Sequence, residues 1–471
     1  MITDLFFLFT TIAIPTVLGY LAVKSILLNE RWPLLVELSI SFGLGVGILV
    51  LLMFYFNILG LAFSYINILL VVFVAGLILF ILYQHIKYSN NSFIDNDDND
   101  TLPFGKMARS RDNEKKHSRL RSYISFFIGL NILTIVWIAM NVPISAWDAL
   151  ATIAFKAKIF YFEKGIPSLE LLPHRTYPLL TPLLETWTSF NIGRWDDQLI
   201  KIFFPAGLIS FLIISYYFLK LLTNKTYALC GIALLLSSNL FFLHATTAYR
   251  DSFLLYYNCS AIMFLILWSK YTKTNLLILS SMFASIATFV KLEGTAFMAV
   301  YFFVFFVILF FNRKDTAKKK LQLTLIYILP ILLCCFSFHI YKSVHGLGIS
   351  TDGKANLKLS LKNLLLLKNV FRSYSYDLFH SANWGLIWST FLICFFLYSK
   401  RLKRKDVLLT LISIFCFFVL YTLVAIFTEN YLWIAGNLKE TGRSRLLLHF
   451  YPLGVFFITL ITFPNPFKYD K

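Results

Sequence analysis

Apolar runs long enough to cross a lipid bilayer recur along the whole chain and limit what it can fold into. A membrane helix needs about 17–25 apolar residues, and the sequence holds about thirteen such runs. Only 14% of the residues are charged and 58% are hydrophobic, which excludes a soluble globular protein because a solvated surface is missing. The sequence predicts an all-α integral membrane protein of about thirteen transmembrane helices. The runs begin near residues 5, 35, 63, 122, 199, 227, 253, 275, 294, 321, 384, 407 and 446.

The basic residues indicate the orientation of the chain. Its formal net charge is +19, but the Lys and Arg residues lie between apolar runs, in every second loop. Basic loops stay in the cytoplasm, so no nucleic-acid partner is expected. We predict a multi-pass plasma (inner) membrane protein with the N-terminus outside and the C-terminal FKYDK inside. The basic loops contain Lys24 and Arg31, residues 87–121, Lys220 and Lys225, Lys270 and Lys273, NRKDTAKKK from Asn312, and SKRLKRKD from Ser399.

Composition divides the chain into three parts. Residues 1–86 form an N-terminal membrane extension of three helices, residues 87–121 a flexible cytoplasmic linker, and residues 122–471 the main membrane module. The linker contains DNDDND, but Lys106 stands where a calcium loop needs a bidentate Glu. A cleaved signal peptide is not expected, because the N-terminus carries Asp4 and lacks a basic region. The six cysteines all fall in apolar runs and are expected to be core residues.

Polar chemistry concentrates in the loops predicted to face outward. Loops on a rigid scaffold often carry binding and catalytic sites. In the longest loop, Ala149 to Glu163 has an apolar period near 3.6, which predicts a helix along the interface, and Pro178 to Phe190 predicts a second. Ser145 and Asp148 have capping-box spacing, so spacing alone favours a helix cap over catalysis for Asp148. The outward loops are 141–198, 246–252, 291–293, 341–384 and 428–445.

Several charged residues lie where spans turn outward. Charges this close to the hydrocarbon cost a few kcal/mol each if unpaired, so they snorkel, pair with one another or serve a site. A structural ion pair, for example between Arg250 and Glu293, is as well supported as a functional role. The residues are Tyr249, Arg250 and Asp251 in AYRDSF, Lys291 and Glu293 in TFVKLEGTAF, and Arg443, Arg445 and His449 in GRSRLLLHFYP.

Taken together, these segments resemble the bacterial membrane glycosyltransferases of the GT-C fold, in the branch of the protein O-mannosyltransferases and the lipid A aminoarabinose transferase (glycosyltransferase family 39-like). Two departures stand out. Relatives often start the catalytic module with the first span, and they often carry a second acid where this chain has Ala149. The second departure argues against a metal site on paired carboxylates there. The matching segments are WDAL from Trp147, FKAK from Phe155, HRTYPLLTPLLETW from His174, YRD from Tyr249, KLEG from Lys291 and SRLLLHFYP from Ser444.

The resemblance implies a GT-C-like catalytic module in residues 122–471 and an inverting sugar transfer on the periplasmic (outer) face. The donor would be a polyprenyl-phosphate-linked sugar, and the acceptor a glycan, a lipid or a protein. Asp148 would be the general base. No metal ligand is assigned, and help from Mg²⁺ or Mn²⁺ is left open. The donor phosphate would be bound by Arg445, Lys291, Arg250 and His174, and the sugar or acceptor by Tyr177, Asp251, Glu293 and Lys158.

Two alternatives remain open at this stage. A polyprenyl-linked glycan polymerase or ligase also has many spans and outward arginines, but its large outward loop is expected late in the chain. A lipid-linked substrate transporter or flippase would place ionisable residues at mid-span, with helices broken by Gly or Pro and an internal repeat. Here the charges cluster at span ends and the sequence shows no convincing repeat.

Overall fold

The computed structural model of the chain describes residues 2–28, 30, 32–91, 118–311, 316–348, 360–436 and 439–464. Within these ranges the protein is helical and has no strand. The C-terminal FKYDK and residues 92–117 of the predicted linker lie outside them. The ends of that linker are helical, because one helix continues to Asn91 and the next begins at Ser118.

The helices follow one another with short connections for most of the chain. A π-helical turn covers Ala149–Ala154, and 3₁₀ turns cover Leu199–Ile202, Leu361–Leu366 and Ser399–Lys403. The α-helices are α1 (Ile2–Leu27), α2 (Leu34–Ile58), α3 (Tyr65–Asn91), α4 (Ser118–Asn141), α5 (Phe155–Phe162), α6 (Leu180–Ile192), α7 (Phe203–Leu222), α8 (Lys225–Leu236), α9 (Asn239–Thr246), α10 (Arg250–Tyr271), α11 (Thr274–Thr288), α12 (Leu292–Ala296), α13 (Met298–Phe311), α14 (Ala317–Val344), α15 (Leu367–Leu378), α16 (Ser381–Trp384), α17 (Ile387–Leu397), α18 (Lys405–Phe427), α19 (Tyr431–Ile434), α20 (Lys439–Leu448) and α21 (Tyr451–Thr462).

Nine helices in the described ranges are long and apolar enough to cross a membrane. Two bent pairs raise the number to as many as eleven: α8 with α9, bent by 74°, and α20 with α21, bent by 45°. Two further apolar helices, α11 and α17, have only 15 and 11 residues. Every predicted apolar run coincides with one of these helices, so the multi-pass helical class is confirmed. The count of thirteen crossings remains a prediction.

Ion pairs sort the helix ends into two groups. At one end of the bundle, Lys273 after α10 pairs with Glu30 between α1 and α2, with Nζ and Oε1 3.0 Å apart. At the other end, Asp4 near the start of α1 pairs with Arg194 of the 141–198 loop, with Oδ1 and Nη1 2.8 Å apart. The N-terminus therefore shares a face with the long loop, and two short basic loops meet at the opposite end, which agrees with the alternation in the sequence.

Small residues bring α1 and α2 into close contact. A Cβ added to Gly19 would lie 1.9 Å from the carbonyl oxygen of Ser41, and one added to Gly45 would lie 1.7 Å from that of Pro15. Without a hydrophobic force between helices in lipid, such close backbone packing is a main source of their association. The glycines are therefore needed where the two helices cross.

The first two helices also pack into the main module. The hydroxyl of Tyr257 in α10 donates to the carbonyl of Gly43 at 2.8 Å, and the Ser210 hydroxyl of α7 donates to that of Ser39 at 2.8 Å. The indole of Trp187 in α6 donates to the carbonyl of Thr11 at 3.1 Å. Helices α1 and α2 are therefore part of the bundle that supports the site.

A test of this packing uses two glycines that both lie inside helices. We expect Gly45→Ala to lower the free energy of unfolding by about 1–3 kcal/mol, because its methyl group has no room. Gly129→Ala is the matched control: no atom lies within 4 Å of its added Cβ, and alanine favours a helix over glycine. Thermal and denaturant unfolding of the purified protein measures both. Equal stability of the two variants would contradict the close α1–α2 crossing.

Candidate functional site

The site lies where a short helix ends inside the bundle. Helix α11 has 15 residues, so it is about 22 Å long. The turn after it holds Lys291, a residue that is only 7% exposed. Helix α12 then lies against the end of α11, because Gly294 has no Cβ: an added one would be 1.9 Å from the carbonyl oxygen of Ala287.

A buried carboxylate organises three segments of the chain. Asp251, in the first turn of α10, is fully buried. Its Oδ1 lies 3.0 Å from Lys291 Nζ and 2.8 Å from His449 Nε2, and its Oδ2 accepts from Arg445 Nη2 at 2.7 Å. We call these four residues the Asp251 cluster. It joins α10, the turn after α11, and the junction of α20 with α21.

The histidine of this cluster has a defined tautomer. A carboxylate only accepts hydrogen bonds, so Nε2 of His449 carries the hydrogen that faces Asp251. In the neutral ring Nδ1 then accepts from the hydroxyl of Tyr421 in α18, 2.6 Å away. The chain from Tyr421 through His449 to Asp251 fixes the ring, and with it the start of α21.

Arg445 connects the Asp251 cluster to a more exposed acid. Its Nη1 donates to Oδ2 of Asp148, and the Asp148 side chain is 35% exposed. The side chain of Asp148 makes no capping hydrogen bond, so the alternative of a simple helix cap is wrong here. The residue instead precedes the π-helical turn, an irregularity often found at functional sites, and Thr152 in that turn donates to the Asp148 carbonyl at 2.6 Å.

Arg250 has no carboxylate in ion-pair contact within the described part of the chain. Its Nη1 and Nη2 donate to the hydroxyl and carbonyl of Thr152 at 3.2 and 3.0 Å, and its guanidinium lies 5.3 Å from the ring centre of Tyr177. The alternative ion pair between Arg250 and Glu293 is wrong, because Glu293 pairs with Lys291 at 2.9 Å. Arg250 is therefore a buried cation whose charge is not neutralised by a contacting acid.

One cavity of about 610 Å³ is bordered by Asp148, Arg250, Lys291 and Arg445. Its size is typical of small-molecule sites, which range from about 300 to 1,000 Å³. Asp251 lies behind the wall, and Lys158 lies elsewhere: it is exposed and sits 5.7 Å from the ring centre of Trp195. The predicted residues that line the cavity are Asp148, Arg250, Lys291, Glu293 and Arg445, joined by His174 and Tyr177.

Lys156 is a positioning residue that the sequence did not single out. It is fully buried, and its Nζ donates to the carbonyl of His174 at 2.8 Å. Burial, with the nearby Arg250 adding to it, holds the pKa of Lys156 well below its usual range. The contact supports a turn in which His174 has a left-handed φ of 50°. A helical register including Ile153 and Phe160 places Lys156 rather than Lys158 on the buried face.

Tyr177 presents a neutral phenol beside the cavity. Burial, together with the charge of Glu293, raises the pKa of Tyr177 to about 12. Its ring meets that of His174 edge to face, with ring centres 5.0 Å apart. The hydroxyl is therefore protonated at neutral pH and can both donate and accept a hydrogen bond.

Three further residues line the cavity. Tyr249 places its ring 4.7 Å from the guanidinium of Arg445, a distance that allows a cation–π contact. Asn430 and Trp433 reach the cavity from the segment around α19. Only proximity in the folded chain identifies Asn430 and Trp433, because nothing in their local sequence distinguishes them.

No metal site is found among the residues that the structure describes. They contain no group of three or more His, Cys, Asp or Glu side chains that could hold an ion. The six cysteines are unpaired and are buried or half-buried within the helices, as expected for core residues.

Comparison with known proteins assigns no family to the chain. No family model, no curated protein and no solved structure matches it. The resemblance to GT-C enzymes remains a prediction from the motifs.

The Asp251 cluster predicts a large stability effect. We expect Asp251→Asn to lower the free energy of unfolding by about 3–5 kcal/mol, because buried cations lose their counter-charge. Adding Lys291→Met should not restore the loss, because it removes the counter-charge of Glu293 as well. Glu163→Gln, at an exposed acid, is the control and should change little. Denaturant unfolding measures all three, and a stability of Asp251→Asn equal to that of the control would contradict the cluster's role.

Proposed function

We propose that the protein is a membrane glycosyltransferase that moves a sugar, with inversion, from a polyprenyl phosphate to an acceptor, with Asp148 as the general base. The observation that carries the proposal is the position of Asp148. It is a partly exposed acid in the wall of a cavity that also contains Arg445, Lys291 and Arg250. This combination of one accessible base and several cations is what transfer from a sugar phosphate requires.

The reaction needs few groups. The acceptor oxygen forms a bond to the anomeric carbon, and the bond from that carbon to the phosphate oxygen breaks. The bonding electron pair leaves with the phosphate, and the acceptor proton moves to Asp148. The phosphate is a weak base, so it needs positive charge rather than a proton donor.

Arg445 couples the base to the leaving group. Its Nη1 donates to Asp148, so the guanidinium lies beside the proposed base. An arriving phosphate gives Arg445 a third anion to bind, beside Asp148 and Asp251, and any loosening of the Asp148 contact frees an oxygen of that carboxylate to take the acceptor proton. The donor would thus free the base that the acceptor needs.

Arg250 is suited to the phosphate for a different reason. No acid contacts it in the described chain, and its Nε is buried without a partner. A guanidinium can bind phosphate through two parallel hydrogen bonds. Arg250 would therefore supply charge to the leaving group without first giving up an ion pair.

The sugar itself would lie near Glu293 and Tyr177. Oε2 of Glu293 is buried and has no hydrogen-bond partner, so a sugar hydroxyl can donate to it. The neutral hydroxyl of Tyr177 can bind a second hydroxyl group. Asp251, whose oxygens are already used by the cluster, would position Arg445 and Lys291 rather than contact the acceptor.

A lipid-linked substrate flippase is the second candidate. The observation in its favour is that two helix pairs are bent, α8 with α9 and α20 with α21, since transporters often use broken helices. A polymerase or ligase shares the proposed chemistry and differs in its acceptor. Reconstitution separates the candidates: a flippase moves the labelled lipid across the bilayer and leaves its sugar attached, whereas a transferase releases the polyprenyl phosphate.

The base assignment predicts the effect of one isosteric change. We expect Asp148→Asn to fold and insert normally while sugar transfer falls by about 10²–10⁴-fold, the usual contribution of a general base. Release of polyprenyl phosphate from a labelled donor in proteoliposomes measures it. Glu170→Gln, at an exposed acid in the same loop, should keep wild-type activity. Wild-type turnover by Asp148→Asn would remove Asp148 from the mechanism.

The phosphate assignment predicts different effects for neighbouring arginines. We expect Arg445→Ala to weaken donor use more than Arg443→Ala, because Arg443 binds Ser373 instead of lining the cavity. Since Arg445 also stabilises Asp251, Arg250→Gln is the cleaner probe: it should raise the donor KM about 10–100-fold, as expected for the loss of a charged hydrogen bond. An unchanged donor KM in both Arg445→Ala and Arg250→Gln would contradict the assignment.

A further inference from the structure

A second polar cavity, of about 760 Å³, lies on the other side of the segment that carries Arg445. In each of two pairs of adjacent residues, one residue lines the first cavity and the other lines the second. Ile434 and Arg445 line the first cavity, whereas Ala435 and Ser444 line the second. The segments around α19 and α20 therefore form a wall shared by both cavities, and both lie on the same face of the bundle.

The floor of the second cavity is built from buried polar groups. Oδ1 of Asp377 accepts from Ser444 Oγ at 2.6 Å and from Asn383 Nδ2 at 3.3 Å. Arg443 donates from Nη1 to Ser373 Oγ at 2.6 Å. The side chains of Arg443 and Asp377 are only 7% and 2% exposed. This network holds an acid and a base in fixed positions at the cavity wall.

Two atoms of that floor lack partners. Oδ2 of Asp377 and Nε of Arg443 are buried and make no hydrogen bond. A buried polar atom left unpaired costs about 1–3 kcal/mol, and these two belong to residues that line a cavity. One is an acceptor that needs a donor, and the other is a donor that needs an acceptor. A ligand that offers both would satisfy them together.

The chemistry of the floor selects hydroxyl groups. A hydroxyl both donates and accepts, so it offers what each of the two atoms lacks. The charges of Asp377 and Arg443 offset each other, because Oδ1 and Nη2 lie 3.9 Å apart, so the buried floor favours a neutral group over a phosphate or an ammonium group. Arg372 adds one exposed positive charge at the same cavity. Tyr376 is 66% exposed at the same cavity, and its ring offers an apolar face to the C–H side of a sugar ring.

We propose that this second cavity binds carbohydrate, and that the acceptor of the reaction is accordingly a glycan or glycolipid whose inner sugars occupy it. The floor and Tyr376 form the binding site, whereas its use by the acceptor rests on the proposed function. Arg443 and Arg445 stand two residues apart in α20, so sugar bound at Arg443 also steadies the segment that positions Arg445.

The test is binding of the purified full-length protein to an array of neutral, acidic and phosphorylated oligosaccharides. We expect wild type and Asp148→Asn to bind the same neutral oligosaccharides. Tyr376→Ala, at an exposed position, should bind them about tenfold more weakly. Asp377→Asn keeps the shape of the side chain, removes its charge, and should weaken binding as well. Melting temperatures equal to that of wild type serve as the folding control.

Three results would overturn the proposal. These are no binding of neutral oligosaccharides by wild type, binding restricted to phosphorylated ones, or binding lost in Asp148→Asn and kept in Tyr376→Ala. The outcome is separable from that of the proposed function. Binding that depends on Tyr376 in a protein without transferase activity would leave the carbohydrate site standing and remove the enzyme, whereas transfer without carbohydrate binding would remove only the second site.

Discussion

The burial of one carboxylate determines how the rest of the site is arranged. An isolated charge inside a membrane bundle costs several kcal/mol, so Asp251 requires partners that are equally buried. Those partners are Lys291, Arg445 and His449. Because these partners come from the turn after α11 and from the junction of α20 with α21, satisfying Asp251 in α10 fixes three parts of the chain relative to one another. The cavity forms beside this fixed point, and its cations are held in place before any ligand binds.

Arg445 connects the Asp251 cluster to the proposed reaction. It contacts the buried Asp251 and the partly exposed Asp148 at the same time. Asp251 therefore keeps the guanidinium in place, and Asp148 binds it at the wall of the cavity. In the proposed reaction the phosphate enters this arrangement as a third anion. Arg250, which has no acid in contact within the described residues, supplies further charge without disturbing the Asp251 cluster.

The sequence predicted the helices well because apolar length and basic loops report directly on the bilayer. It also identified every Asp, Glu, Lys and Arg that lines the cavity, because charges at span ends are rare and conspicuous. It did not predict their pairing: Glu293 binds Lys291 rather than Arg250. Which of two charged neighbours faces the cavity also depends on helix rotation. Lys156 is buried and Lys158 exposed, while Arg445 and Arg443 face different cavities.

The sequence also did not predict the break between α8 and α9, because the apolar run continues through it. A local signal was present, because Ser238 caps α9 by accepting from the amide of Phe241 at 3.2 Å. Capping residues inside an apolar run thus mark a bend that hydropathy alone does not resolve.

The proposed function requires that this membrane protein forms a glycosidic bond. Mass spectrometry of envelope glycolipids and glycoproteins can detect the product, in cells that make equal amounts of the wild-type protein or Asp148→Asn. We expect a species in wild-type cells that is heavier by one sugar than its counterpart in the variant. Identical spectra from the two strains would contradict it.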